Sequence, residues 1–157
     1  SRGLGDVYKR QVKDYIHGER FMLTYGDGVS DVDINRLLDH HEAGGRYATM
    51  TAIQPGGRFG VLDIDNGSVI RRFTEKSKED GGWINGGFMV LEPEIFNYLN
   101  DDPDLVFEKK PLESMAIDGQ LSAYKHNGFW QCMDTLRDQN ILNSLIDENK
   151  APWIKWE

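Results

Sequence analysis

Apolar and polar positions switch between two periods along the chain. Residues 20–25 form an apolar run closed by Gly26-Asp27-Gly28, the pattern of a buried strand running into a tight turn. Ser30 follows as a predicted helix N-cap, with Asp33 three places on as its capping-box partner. Ile34, Leu37, Leu38 and His41 recur at helical spacing until Gly44-Gly45 ends the helix. Residues 47–54 read as a second strand, "PGGRFG" at 55–60 as a loop, and "VLDIDNGSVIRRF" as a hairpin turning at Asn66-Gly67. "WINGGFMVLEP" predicts a strand, with Pro93 placed for the first turn of a short helix. Residues 106–118 predict a helix stopped at Gly119, and "LSAYKH" a further strand. Residues 136–149 predict an amphipathic helix with Ile141, Leu142, Leu145 and Ile146 on one face.

Strands alternating with helices, plus one hairpin, point to an α/β domain with a mixed, mostly parallel sheet. Ligands in such sheets bind beyond the carboxyl ends of strands. Asp27 lies just past the first clear strand, and Asp134, in "NGFWQCMDT", just past the last. Two acids at two strand ends are thus expected to face one crevice. The opening "SRGLGDVYKRQ" is basic and aperiodic, and no strand can be read in it. Residues 1–11 are therefore expected to be foreign or disordered, and residues 12–157 to form the domain.

Composition narrows the classes. Hydrophobic residues make up 39% of the 157 and charged residues 28%, as in a soluble globular domain. No apolar run approaches the roughly 18 residues of a membrane helix, and the first ten residues lack the apolar core of a signal peptide. The net charge of −8 argues against nucleic acid as a partner. The single cysteine, Cys132, excludes an internal disulfide and fits a cytoplasmic setting.

Several positions carry candidate chemistry. Asp27 stands between two glycines, which let the backbone turn tightly and a ligand approach. Magnesium is commonly held by one or two carboxylates plus substrate phosphates, which suits an aspartate here. Asp31-Val32-Asp33 has the D-x-D form of many metal-dependent glycosyltransferases, but acids in a first helical turn also favour the helix dipole. Glu75-Lys76, after the hairpin, could bond sugar hydroxyls and pair a phosphate, or be ordinary surface. Asn85-Gly86-Gly87 inside an apolar strand marks either close approach of a ligand or a bulge. Gly60 is either a turn or a substrate contact, and Arg58 beside it could pair a phosphate. The four histidines show no zinc spacing, and Cys132 reads as a buried thiol.

"TYGDGVSDV", "TAIQPGGRFGVLDID", "FTEKSKEDGGWINGGFMVLEPEIF", "PLESMAIDGQLSAYKHNGFWQCMDTLRDQNIL" and "KAPWIKW", in this order, resemble the sugar-1-phosphate nucleotidylyltransferases. Within them the likeness is to the branch that transfers a cytidylyl group from CTP to glucose 1-phosphate, giving CDP-glucose for bacterial O-antigen and lipopolysaccharide sugars. It covers residues 12–157. It implies a nucleotide-diphospho-sugar transferase fold, Mg2+ as cofactor, and a homo-oligomer in the full-length enzyme. It implies Asp27 and Asp134 as metal ligands, with Lys76 catalytic beside them. Gly26 would lie against the nucleotide, and Gly60, Glu75, Lys76, Asn85 and Gly86 would line the sugar-phosphate pocket. Two features depart from the pattern. Ser77 replaces the proline of the usual Glu-Lys-Pro. The glycine-rich loop with its catalytic Arg and Lys, and the base-recognising segment, find no match, so the chain is expected to be the C-terminal part of such an enzyme and inactive alone. A glycosyltransferase using Asp31 and Asp33, or a non-catalytic sugar-phosphate binding module, are the alternatives.

Overall fold

The computed structural model describes residues 13–54, 61–74, 82–100 and 105–155. In chain order the elements are α1 (Lys13–Ile16), β1 (Phe21–Thr24), β2 (Gly28–Ser30), α2 (Ile34–Gly44), β3 (Ala48–Ile53), β4 (Val61–Ile64), β5 (Ile70–Thr74) and β6 (Ile84–Leu91). A 3₁₀ turn (Pro93–Tyr98), α3 (Lys110–Ile117), β7 (Leu121–Lys125), β8 (Trp130–Cys132) and α4 (Leu136–Asp147) complete it. Residues 1–11, 55–60 and the Glu75-Lys76 pair lie outside the described residues.

The main sheet has the order β1-β6-β3-β7. β3 runs parallel to β7, while β6 lies antiparallel to both β1 and β3. Three strands therefore share one direction and β6 opposes them. β3 is buried at all six positions because both of its faces are covered, which is why "ATMTAI" shows no alternation. On one side Ala48, Met50, Ala52, Met89, Leu91, Leu121 and Ala123 pack beneath α3, the 3₁₀ turn and the hairpin, through Leu112, Met115, Ile95, Leu62 and Ile70. Met50, Leu91, Leu112 and Met115 are fully buried.

The other side of β3 is polar. His41, 1% exposed on α2, bonds the Thr49 hydroxyl through Nδ1 at 2.8 Å and Glu92 through Nε2 at 3.0 Å. Thr49 in turn meets the Ser122 hydroxyl at 2.6 Å, and Arg20 Nε donates to Glu92 at 2.7 Å. His41, Thr49 and Ser122 thereby find partners as α2 docks, whereas the buried Thr51 hydroxyl on the same face finds none among the described residues. Burial alone would raise the Glu92 pKa, but bonds from Arg20 and His41 outweigh it and hold the carboxyl below the 4.5 of a free glutamate. A depressed acid stabilises the fold fully above its unfolded value, and that share is lost as pH falls through the folded value. Melting temperature is thus expected to drop as pH falls below about 4.5. Glu92→Gln should remove part of that acid limb. The shares of Asp65, held low by the Val69 amide and Arg71, and of Asp138, held low by Thr135, should remain.

Four features differ from the sequence expectation. β1 is half-buried rather than buried: it sits at the sheet edge, with Phe21 and Leu23 turned inward and Met22 43% exposed. Ser30 is not the helix cap. Asp33 is, its carboxylate accepting from the Arg36 amide at 3.1 Å, while Ser30 ends β2. Both residue types cap helices well, so periodicity could not choose between them. The β4–β5 turn is organised by Asp65, which accepts from the Gly67 and Val69 amides, and Ser68 rather than Gly67 takes the positive φ of 61°. The expected apolar face of α4 is mostly uncovered: Leu142 is buried, but Ile141 and Ile146 are 40% and 45% exposed. Among the described residues no helix is long and apolar enough to cross a membrane.

Candidate active site

Because β1, β3 and β7 share a direction, their carboxyl ends, at Tyr25, Gln54 and His126, lie along one edge of the sheet. The opposed strand β6 begins there, at Ile84 and Asn85. This is the edge where α/β sheets place ligands.

Asp27 is carried there by the Gly26-Asp27 turn after β1, and it is solvent-exposed. Asp134 arrives by a route that the sequence did not disclose. Strand β7 does not lead to it directly; β8 intervenes and pairs antiparallel with β2 in the register Gly28↔Cys132, Val29↔Gln131, Ser30↔Trp130. The ladder continues one step, the Met133 amide donating to the Asp27 carbonyl at 2.8 Å. Asp27 is therefore opposite Met133 and one position from Asp134, with residues over 100 apart in sequence brought to neighbouring places. Both have left the regular strands, so the pleat no longer forces them to opposite faces.

Asp134 also acts on Cys132. Burial first, then the charge of Asp134 and a hydrogen bond to it, push the Cys132 thiol up to about 11. It is half-buried, and the raised pKa keeps it protonated and a poor nucleophile at neutral pH. Among the described residues no three His, Cys, Asp or Glu side chains form a ready-made metal cage. Asp27 and Asp134 are both exposed, and a magnesium ion needs only one or two carboxylates where substrate phosphates and water complete its shell.

The Asn85-Gly86-Gly87 segment is a bulge. Register with β3 slips between Met50↔Met89 and Ala52↔Asn85, and Gly87 takes a φ of 81°. Asn85 is held at both ends: its amide nitrogen donates to the Tyr25 hydroxyl at 3.0 Å and its oxygen accepts from the Gly87 amide at 2.9 Å. Tyr25 donates onward to Glu108 at 2.7 Å. Gly86 is buried; a Cβ there would lie 3.1 Å from the Thr51 carbonyl oxygen. Its own carbonyl accepts the Trp130 indole N–H at 2.8 Å, tying β8 to β6. Gln54, His126, Asn127 and Trp130 border a polar hollow of about 180 Å³ beside this bond. That is below the ~300–1,000 Å³ of pockets that engulf drug-sized ligands, so it has room for part of a small polar ligand only.

Gly26, Asp27, Asn85, Gly86 and Asp134 are thus collected at one end of the sheet. Gly60, Glu75 and Lys76 lie outside the described residues. Asp31 and Asp33 are otherwise engaged: Asp33 caps α2, and Asp31 accepts from the Phe129 amide at 2.7 Å and pairs with His126 at 2.9 Å. That engagement disfavours a D-x-D metal site. A second groove runs along α4, lined by Leu136, Ile141 and Leu145 together with Arg137, Asn140 and Glu148, all from that one helix and its cap.

Residues 8–138 match the family model described as nucleotidyl transferase. The chain is 49% identical over 149 residues to the glucose-1-phosphate cytidylyltransferase of Salmonella typhi, covering 94% of this chain and 57% of that protein. It is 29% identical over 131 residues to the mannose-1-phosphate guanyltransferase of Saccharomyces cerevisiae, covering 80% of this chain and 36% of that one. The crystal structure of HddC from Yersinia pseudotuberculosis superposes with a TM-score of 0.72 at 19% identity, over 89% of this chain and 60% of that one, a likeness of fold. The chain spans 57% of the length of the cytidylyltransferase it matches.

Proposed function

Because the chain belongs to the nucleotidyl transferase family, we propose that it supplies the metal and sugar-phosphate side of an enzyme that makes CDP-glucose and pyrophosphate from CTP and glucose 1-phosphate. The observation that carries this reading is the β2–β8 ladder, which sets Asp27 beside Asp134 at the sheet edge where Asn85 and Gly86 also lie.

In this reading an oxygen of the sugar phosphate attacks the α-phosphorus of CTP, and the bond from that phosphorus to the departing pyrophosphate breaks. The attacking phosphate has a second pKa of about 6, so it is already ionised and needs no general base. That suits an edge whose thiol is kept protonated. The difficulty is repulsion between two anions, which a divalent cation held by Asp27 and Asp134 would offset. Lys76 would place the attacking phosphate. Gly26, without a side chain, would let the nucleotide approach the turn, and Glu75, Asn85, Gly86 and Gly60 would bound the sugar phosphate.

The test is glucose 1-phosphate-dependent exchange of label from pyrophosphate into CTP, run on this chain beside a full-length relative. Metal-dependent exchange is expected wherever both halves of the site are present. Sugar transfer from a nucleotide-sugar without pyrophosphate exchange would overturn the reading. The same assay with GTP and dTTP tests the base, since a mannose-1-phosphate guanyltransferase matches 80% of this chain.

A further inference from the structure

We propose that Asp31 and His126 are a positioning pair: they pin one end of the β2–β8 ladder and so hold Asp27 and Asp134 in register at the other. The inference rests on the reading of those two carboxylates as metal ligands. The ladder needs such a pin. It has three residue pairs, and a two-stranded ribbon that short is marginal in water, so its register depends on ties to the rest of the fold: the Trp130–Gly86 bond near its middle and this pin at its end. A slip of one residue would turn every side chain to the other face and part the two acids.

The pin closes just past Ser30↔Trp130. The Asp31 amide donates to the Phe129 carbonyl at 3.2 Å, and the Ser30 hydroxyl donates to the same oxygen at 2.8 Å. One carboxylate oxygen of Asp31 accepts both the Phe129 amide, at 2.7 Å, and His126 Nε2, at 2.9 Å. His126 is itself fixed to the core: its amide donates to the Ala52 carbonyl at 2.9 Å, on the central strand. Gly128 lies between, where a Cβ would collide with the Asp31 carboxylate and the imidazole. Lys155 donates to the Asp31 carbonyl at 2.7 Å, and the Phe129 ring lies 5.1 Å from that of Trp153. Each strand then carries three residues from this pin to the site, so fixing Asp31 opposite Phe129 fixes Asp27 opposite Met133.

The test compares the wild-type chain with His126→Phe, which removes the bond, and His126→Gln, whose amide can present a donor in place of Nε2. Two quantities are read: hydrogen exchange at the Met133 and Ala48 amides by NMR, and Mn2+ affinity by titration. In His126→Phe, Met133 exchange is expected to rise at least tenfold with Ala48 unchanged, and Mn2+ affinity to fall at least fivefold. His126→Gln should restore both. Unchanged Met133 exchange would overturn the pin. So would a parallel rise at Ala48, because the pair would then merely belong to the core. Faster Met133 exchange with unaltered Mn2+ affinity would overturn its positioning role. If the wild type binds no Mn2+ even with glucose 1-phosphate present, yet Met133 responds as expected, the pin stands and the metal reading falls.

Discussion

In a full-length enzyme carrying this site, Asp27→Asn is expected to lower metal-dependent nucleotidyl transfer by about 10³-fold, roughly 4 kcal/mol of barrier at 1.36 kcal/mol per tenfold. Asparagine keeps the size and one acceptor oxygen but removes the charge that would hold a divalent cation between two anionic substrates. The fold should survive. Asp27 is exposed, and what the structure uses of it is its backbone carbonyl, which accepts the Met133 amide. Asp134→Asn should behave alike in activity, with one further sign. Cys132 loses the neighbouring charge that helps to hold its thiol near 11, so alkylation at pH 8 should become faster. The measurement is kcat and metal dependence at saturating CTP and glucose 1-phosphate, with the melting temperature alongside. Loss of activity that excess metal restores fits weakened coordination. Turnover near the wild-type value in limiting magnesium would remove Asp27 from the site.

What could be read in the sequence was local. Glycines on both sides of Asp27 marked a turn after an apolar run, and the spacing Ile34, Leu37, Leu38 and His41 marked a helix ended by an αL glycine at 45. β8 was not legible. Three residues show no period, and the partner strand β2 is equally short and about 100 residues away. Strand-end positions led to the expectation that Asp27 and Asp134 share a crevice, resemblance made them a ligand pair, and the ladder shows how their backbones come together. Asp31 and His126 escaped notice for the same reason: neither a lone histidine nor one acid of a D-x-D run announces a partner across the fold. The face of α4 failed differently. Periodicity reports which residues could be buried together; whether anything covers them depends on the rest of the assembly.

Gly87→Ala is expected to lower unfolding stability by about 2–4 kcal/mol, combining the penalty of a left-handed φ with displacement of a packed ring. At a φ of 81°, the added Cβ would lie 2.9 Å from Tyr25 Cδ2 and 3.2 Å from its Cβ. The second contact is near the backbone, so a rotation of the ring alone cannot relieve it. Tyr25 would have to shift, and it receives the Asn85 amide and donates to Glu108. The bulge thus couples fold to site: the residue that lets β6 kink also lets Tyr25 hold Asn85 at the sheet edge. Gly26→Ala is the matched control. A Cβ there meets nothing within 4 Å, and its φ lies outside the positive range, so stability should stay within about 0.5 kcal/mol. Urea unfolding separates the two, with a lower midpoint at an unchanged slope for Gly87→Ala. A loss of sugar-phosphate affinity in Gly87→Ala, with the CTP affinity retained, would assign Asn85 to the sugar side. Equal stability of the two variants would mean that the bulge relaxes without moving Tyr25, and Asn85 would then owe its orientation to something other than Gly87.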